Sequence, residues 1–428
     1  MANLPTSMKA LILKSPGNGA IENTPVPQAL PGSVIVQVLH VLVYPVTPDV
    51  FHGTTPNPKM TLPYPLVFGS PAIGRVAAIG PDTTAFKPGQ LVLVDSNLKA
   101  RDDPDVSVVW GGFDGFDETT KRFVKEAWRD GAWAEYVRAP LESTWALNED
   151  KLVGKLGFKT EDLLHLGLLP VLYSGLRKID VKAGETVLIA PATGVFSGGC
   201  VAVARAMGAN VIAGGRSEES LNALKARFPG IQTVKLTGEP SDVAAIQSFG
   251  KIDAFVDVGP SASTSATYLS TAMLSVRKGG RICLLGARGD AALPIPYLAM
   301  MFNDITIRGS YMFEAEHVPG LIRMAETGIL KLNGEGGFEV LASYPFEKYA
   351  EALERGREIS AGQIVVTQIL APKPLTQFSR PVIRVIVEFL MTRRPLSIVT
   401  TSGSARNCVS YFPNAIPTKN RPIGSVGQ

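Results

Sequence analysis

A chain of 428 residues that is 45% hydrophobic and 19% charged, with 42 glycines and 32 prolines, is too long for one small domain. It is also too varied for a coiled coil, a collagen or a disordered polymer. The formal charge of +4 comes from residues 371–428, which hold eight basic side chains against the single acid Glu388; the preceding residues keep 34 basic and 37 acidic groups. A slightly acidic body has no positive stripe, which excludes nucleic acid as a partner.

Residues 1–153 read as a small all-β unit. Lys9-Ala-Leu-Ile-Leu13, Ser33-Val-Ile-Val-Gln-Val-Leu-His40, Gly74-Arg-Val-Ala-Ala-Ile-Gly80 and Gln90-Leu-Val-Leu-Val94 are short, β-branched and separated by Pro/Gly turns. Residues 95–131 interrupt it with Trp110-Gly-Gly-Phe-Asp-Gly-Phe-Asp117 and a helical 118–129. This insertion reads either as a lobe over an active site or as surface decoration. From 154 to 310 the rhythm changes. Apolar strands at 186–190, 210–213, 254–258 and 281–285 alternate with helical patterns such as 200–207 and 218–228, which predicts an α/β, doubly wound parallel sheet covered on both faces. Residues 311–370 carry two helical patterns, 317–326 and 346–359, and the strand Gln363-Ile-Val-Val-Thr-Gln368, and are expected to return to the first unit. The basic stretch 371–428 has no folded pattern; it reads as a disordered tail, even a gene-modelling artefact, or as a basic interaction tail.

Cys200, Cys283 and Cys408 are scattered and odd in number, which suits a reducing cytoplasmic setting rather than a disulfide framework. The four histidines, His40, His52, His165 and His317, show no helix-face pairing, so no structural zinc is expected. No secretory leader or membrane-spanning run is read in the sequence.

The stretch from Thr186 to Arg216 is a strand, a tight turn, a helix and a second strand, the context of a dinucleotide fingerprint. Its G-x-G-x-x-G positions read Ala192-Thr193-Gly194-Val195-Phe196-Ser197, so only the middle glycine, the one that lets backbone approach a pyrophosphate, is kept. Ala192 is tolerable if its φ stays negative. Ser197 is small enough for helix packing and is expected to add a hydroxyl near the phosphates, which the helix N-terminus would face. The second strand ends Gly214-Gly215-Arg216-Ser217, with no carboxylate to repel a 2′-phosphate and an arginine to bind one, so NADPH is favoured over NADH. Glu218 and Glu219 weigh against that preference.

With Lys87-Pro-Gly-Gln-Leu-Val92, Gly131-Ala-Trp-Ala-Glu-Tyr-Val137, Val181-Lys-Ala-Gly-Glu-Thr-Val-Leu-Ile189, Phe255-Val-Asp-Val-Gly259, Leu284-Leu-Gly-Ala287 and Ile307-Arg-Gly-Ser310, residues 8–370 resemble the medium-chain dehydrogenase/reductases. The resemblance implies a GroES-like β-barrel catalytic domain (1–153, completed by 311–370) and a Rossmann domain (154–310) enclosing the nicotinamide. It also implies cofactor contacts at Gly259, Gly286 and Ala287, and a homodimer or homotetramer. Where the zinc branch carries metal ligands, this chain has Tyr44 and Ser70; no cysteine stands near 168–173, and the insertion replaces the structural-zinc segment. The chain therefore resembles the zinc-free quinone and enone reductases, with Tyr44-Pro45-Val46-Thr47 at the loop in question and no metal expected.

Without a metal, hydride transfer needs a donor or the substrate's own conjugation to hold developing charge, which favours an enone or quinone-type small molecule, in specialised metabolism by resemblance. Tyr44 is the candidate donor or acid and Thr47 the candidate partner for ribose or substrate oxygen; packing and turn-capping are the competing roles. Asp49 and His52 would relay a proton or else sit at the surface. Tyr173 reads as core, and Asp257 as a cofactor contact or a capping carboxylate. Two alternatives stay open: a zinc-independent ketone or alcohol dehydrogenase, suggested by Trp128-Arg-Asp-Gly-Ala-Trp-Ala-Glu-Tyr136, which is similar to fungal-type alcohol dehydrogenase relatives, and a non-catalytic NADPH-binding protein.

Overall fold

The computed structural model describes residues 4–55, 60–259, 267–286 and 295–370. The expectation for 371–428 and that for Ala287 lie outside them. In chain order the strands are β1 (Ser7–Ser15), β2 (Asn18–Pro25), β3 (Ser33–Val43), β4 (Leu66–Val67), β5 (Ala72–Ile79), β6 (Leu91–Val94), β7 (Asn97–Lys99), β8 (Ser107–Val109), β9 (Tyr136–Pro140) and β10 (Thr144–Ala146). They continue as β11 (Thr186–Ala190), β12 (Asn210–Gly215), β13 (Gln232–Lys235), β14 (Ile252–Asp257), β15 (Val276–Leu284), β16 (Thr306–Gly309), β17 (Glu339–Pro345) and β18 (Gln363–Gln368). The helices are α1 (Thr47–His52), α2 (Glu118–Ala127), α3 (Leu169–Lys178), α4 (Val195–Ala206), α5 (Glu218–Arg227), α6 (Ser241–Gln247), α7 (Thr267–Leu274), α8 (Tyr297–Phe302), α9 (Val318–Glu326) and α10 (Tyr349–Gly356).

The N-terminal sheet is built around β3. Its run Ser-Val-Ile-Val-Gln-Val-Leu-His-Val-Leu-Val is buried on both faces, so apolar residues are continuous rather than alternating. The sheet order is β10-β6-β5-β3-β18-β17, with β9 also on β3. Thus β17 and β18, from the last described segment, sit beside strands of the first; β18 is antiparallel to β3, with Gln368 opposite His40. A small sheet, β2-β1-β4, flanks it.

The second large sheet is parallel throughout, in the order β13-β12-β11-β14-β15-β16. The first strand of this unit lies in the middle and the order reverses between β11 and β14. Such a switch point opens a crevice beyond the carboxyl ends of the strands. The fold is therefore the doubly wound α/β arrangement expected from the alternating pattern.

The helix α4 begins at Val195, five residues before the expected helical stretch, because Gly194 caps it and close packing holds its glycine-rich first turns. A Cβ on Gly198 would lie 2.4 Å from Ala361 Cβ, and one on Gly199 2.8 Å from Leu172 Cδ1. These two glycines let α4 press against the loop before β18 and against α3, so the helix is seated on both sheets' neighbourhoods. Likewise 346–348 forms a 3-10 turn ahead of α10 rather than the start of one long helix.

The insertion contributes to the core. Trp110 is fully buried and its Nε1–H donates to the Trp128 carbonyl at 3.0 Å. Between them α2 starts with Asp117, whose carboxylate accepts from Thr120 N at 2.9 Å. Among the described residues no helix is long and apolar enough to cross a membrane.

Candidate active site

At the switch point the backbone is tightly fixed. Ala192 N donates to Gly214 O (2.8 Å), Val258 N to Ala190 O (3.2 Å) and Leu285 N to Asp257 O (2.9 Å). Ala192 is buried, and it is not among the non-glycine residues with positive φ, which meets the condition for replacing a turn glycine. Gly194 is exposed and extended (φ −82°, ψ 171°), and a Cβ there would meet only Ser197 Oγ, at 3.3 Å. The space in front of the helix end is therefore open, and the N–H groups of Val195 and Phe196 face it without intrahelical acceptors. This is the cradle that a diphosphate needs.

Ser197 does not face that cradle. Its Oγ is buried, accepts from Gly194 N at 2.9 Å and lies 3.2 Å from Gly194 O, so the hydroxyl expected near the phosphates is instead the helix's own cap. Thr193 is half-buried beside Gly215, and Val195 is buried. On the other side of the crevice Gly286 comes against Gly259: a Cβ on Gly286 would lie 2.8 Å from both the N and O of Gly259 and 2.9 Å from Asp257 Oδ2. Only glycine fits there. Asp257 is buried and accepts from the Tyr268 hydroxyl at 2.6 Å, the local bond that its position at a strand end left open.

Gly215 is buried at the end of β12, and Arg216 is exposed, with no ion-pair or hydrogen-bond partner among the described residues. Ser217 caps α5, its hydroxyl accepting from Ser220 N at 3.2 Å. Glu218 is drawn away to Lys235, 3.4 Å distant. Its carboxylate, which counted against a 2′-phosphate in the sequence, is thus balanced by a lysine on β13.

Tyr44 follows β3 directly. Its N–H donates to Thr47 Oγ1 (3.1 Å) and its carbonyl accepts from Thr47 N (2.8 Å), so Thr47, buried, closes the turn into α1. The Tyr44 ring is half-buried, edge-on to the Phe196 ring with centroids 6.0 Å apart and planes at 86°. No described residue hydrogen-bonds its hydroxyl. Burial pushes its phenol up to about 12, so it holds its proton throughout the neutral range. Candidate donor and candidate diphosphate cradle, far apart in sequence, are thereby joined by one aromatic contact.

Ser70 is buried and donates to the Trp110 carbonyl. The preceding Gly69 (φ +73°) is clasped by the middle and the end of the insertion: its N–H donates to Gly111 O at 3.1 Å, and Cβ atoms on Gly111 and Gly131 would lie 2.7 and 2.4 Å from its carbonyl atoms. The insertion thus docks, through Trp110, Gly111 and Gly131, on Gly69 and Ser70, a contact with no local sequence signal. Among the described residues no cluster of three or more His, Cys, Asp or Glu is placed to hold a metal.

The relay residues are not brought together. Asp49 accepts from Arg357 Nη1 at 2.7 Å and from Thr54 Oγ1 at 3.3 Å, while His52 is exposed beyond Phe51. Tyr173 is core, as expected, with its hydroxyl accepting from Arg177 at 3.0 Å. The glycine pair 198–199, which the fingerprint reading passed over, was visible in the sequence immediately after Ser197.

Two family models match the chain: "alcohol dehydrogenase GroES-like domain" over residues 30–149 and "zinc-binding dehydrogenase" over residues 198–327. The L-arabinitol 4-dehydrogenase of Talaromyces emersonii is 25% identical over 70% of this chain and 75% of its own. The acryloyl-coenzyme A reductase of Metallosphaera sedula is 24% identical over 85% of this chain and 99% of its own. Among solved structures, AibC superposes with a TM-score of 0.68 at 22% identity, covering 86% of this chain and 97% of that one, and an NAD-dependent alcohol dehydrogenase with 0.64 at 24%, covering 85% and 100%. These similarities establish the fold, and the structure-level ones nothing beyond it.

Proposed function

The chain belongs to the medium-chain dehydrogenase/reductase superfamily and is an oxidoreductase of that type; from that premise we propose that it uses NADPH, without a catalytic zinc, to reduce an enone or quinone-type small molecule. The observation that carries the reading is Tyr44, a protonated phenol whose hydroxyl has no partner among the described residues, standing against the first turn of α4 at a position where the zinc branch carries a ligand.

In this reading Ala192, Thr193, Gly194, Val195, Phe196 and Ser197 form the turn that holds the diphosphate, Gly259 and Gly286 border the nicotinamide end, and Gly215, Arg216 and Ser217 receive the adenosine ribose. A bound nicotinamide supplies the hydride. Tyr44 donates a hydrogen bond to the substrate oxygen on which negative charge develops, and its high pKa keeps that proton in place until the charge forms. Thr47 fixes the Tyr44 backbone and retains its own O–H for a ribose or substrate oxygen. A homodimer or homotetramer belongs to the same proposal; Tyr297, Leu298 and Phe302, exposed on α8 just before the edge strand β16, support it. The buried free thiols Cys200 and Cys283 are in keeping with a cytoplasmic setting.

The preference for NADPH rests on Arg216 and the absence of a carboxylate at the end of β12. Arg216→Ala is expected to weaken NADPH by about 1.5–3 kcal/mol, the scale of a hydrogen bond to a charged group, and to leave NADH nearly unchanged in a binding titration. Equal losses for both would remove the 2′-phosphate assignment.

A second reading, a ketone or alcohol dehydrogenase in which Tyr44 takes the place of zinc, is favoured by relatives named for arabinitol and threonine oxidation. The relative named for acryloyl-coenzyme A reduction favours the conjugated double bond. NADPH deuterated at the transferring position, incubated with an α,β-unsaturated ketone, separates them by NMR of the product. Label at the β-carbon is the expected result; label at the carbinol carbon establishes the second reading. Binding without turnover on any enone, quinone or ketone makes the chain a non-catalytic NADPH-binding protein.

A further inference from the structure

We infer that Phe196 is a positioning residue for Tyr44, aligning the phenol with the bound cofactor through the edge-on contact of their two rings. The inference rests on the reading of Tyr44 as the donor.

The two ends of the contact are held very differently. The Tyr44 backbone is fixed by its reciprocal bonds with Thr47, but its ring has no hydrogen bond to any described residue, so packing alone sets the direction of the hydroxyl. The aromatic contact that the structure gives that ring is Phe196, at 6.0 Å and 86°. Edge-to-face pairs are directional, because the positive ring edge seeks the negative face, so one ring constrains the tilt of the other.

Phe196 in turn stands on a rigid support. It is the second residue of α4, two and three residues before the glycines that seat the helix on Ala361 and Leu172, and its neighbours Gly194 and Ser197 are locked together by the cap. A cofactor held by the N–H groups of this turn and a phenol held by its phenylalanine therefore share one frame. Misplacing a catalytic group by about 1 Å costs on the order of a hundredfold in rate, whereas the backbone N–H groups that bind phosphate are indifferent to the side chain at 196. A cofactor contact and a positioning residue thus differ in what their removal does.

The test uses the full chain with NADPH and whichever of cyclohex-2-enone, 1,4-benzoquinone or cyclohexanone it reduces fastest, with hydride transfer in a single turnover and NADPH affinity by titration. Phe196→Leu and Phe196→Met are expected to slow transfer about 10- to 100-fold with NADPH affinity within about threefold of wild type, and Phe196→Tyr, which keeps a ring, to restore the rate. In the Tyr44→Phe background Phe196→Leu should add no further loss, since the donor it aligns is gone. Losses that multiply in the double variant, or a fall in NADPH affinity as large as the fall in rate, overturn the inference. If Tyr44→Phe alone costs nothing, the reading of Tyr44 falls instead. A Tyr44-dependent rate that Phe196→Leu and Phe196→Met leave untouched overturns the positioning role and spares that reading.

Discussion

Tyr44→Phe is expected to slow hydride transfer about 10²–10³-fold, the loss seen when a single preorganised donor to a developing oxyanion is removed. The substitution deletes one oxygen and keeps the ring, so the contact with Phe196 and the turn closed by Thr47 survive. NADPH affinity should therefore change by less than about twofold, because nothing in the α4 turn is altered. With the phenol pushed up to about 12 by burial, wild-type activity should show no loss from Tyr44 ionisation through neutral and mildly alkaline pH. Stopped-flow measurement of NADPH oxidation in a single turnover reads both points. An unchanged rate in Tyr44→Phe would leave the ring as packing and move the donor elsewhere.

Stability should peak near pH 6.5 and fall on both sides, for reasons that lie in three buried groups. His40 and His165 are held neutral by burial, each lowered from 6.5 to about 4. The imidazole of His40 meets Thr160 Oγ1 at 2.9 Å, its Nδ1 buried with no hydrogen-bond partner among the described residues, and that of His165 donates to the Asp162 carbonyl at 2.9 Å, burial outweighing the backbone groups around the ring. Between about pH 4 and 6.5 the unfolded chain takes up two protons that the folded chain refuses, so stability falls as pH falls. Asp95 acts in the opposite sense. Burial raises its carboxyl from 3.8 to about 8, against the pull of the N–H donors of Trp145 and Asn97. The folded state keeps a proton that the unfolded state releases, a contribution present at low pH and lost as pH rises through about 8.

Each such proton is worth about 1.4 kcal/mol per pH unit. From these groups the net slope is one proton of stabilisation per unit rising from about 4 to 6.5, then one proton of destabilisation up to about 8. Asp95→Asn should remove the alkaline decline and roughly double the acid slope. Urea denaturation across this range checks it, and a variant with the wild-type alkaline decline would show that Asp95 is not the group responsible.

Much of the architecture can be read in the sequence because burial and hydrogen bonding are local there. Thr186–Ala190 and Gln363–Gln368 are short apolar runs bounded by turns, and both are strands with those limits. The parallel character of the second large sheet follows from the alternation of strands and helices along 154–310. Legibility is lost where tertiary contact overrides local preference. The first turn of α4, Val-Phe-Ser-Gly-Gly, is a poor helix former, and it is helical because its glycines fit against Ala361 and Leu172. The polar, glycine-containing β2 is a strand because β1 pairs with it along its length.

The same limit applies to the site. Gly194, Arg216 and Tyr44 can be singled out by residue type and position, but their surroundings cannot. That Ser197 turns back on Gly194, that Ser70 is tied to the insertion through Trp110, and that Asp49 pairs with Arg357 are contacts between distant segments. The aromatic pair of Tyr44 and Phe196 belongs to the same kind, which is why the most informative contact of the site has no motif.

The pairing of β3 with β18 also bears on how the protein is made. On a ribosome β3 emerges among the first residues, and β5 and β9 soon follow, but the strand that completes its remaining stretch arrives last among the described elements. At about 5–20 residues per second, the backbone groups from His40 to Val43 wait tens of seconds for Val365 to Gln368. During that wait the nascent N-terminal sheet carries an open, strongly apolar edge of the sort that recruits other chains. The nucleotide-binding unit is synthesised in the interval, so the half that would hold the cofactor can mature first and serve as the platform on which the other half closes.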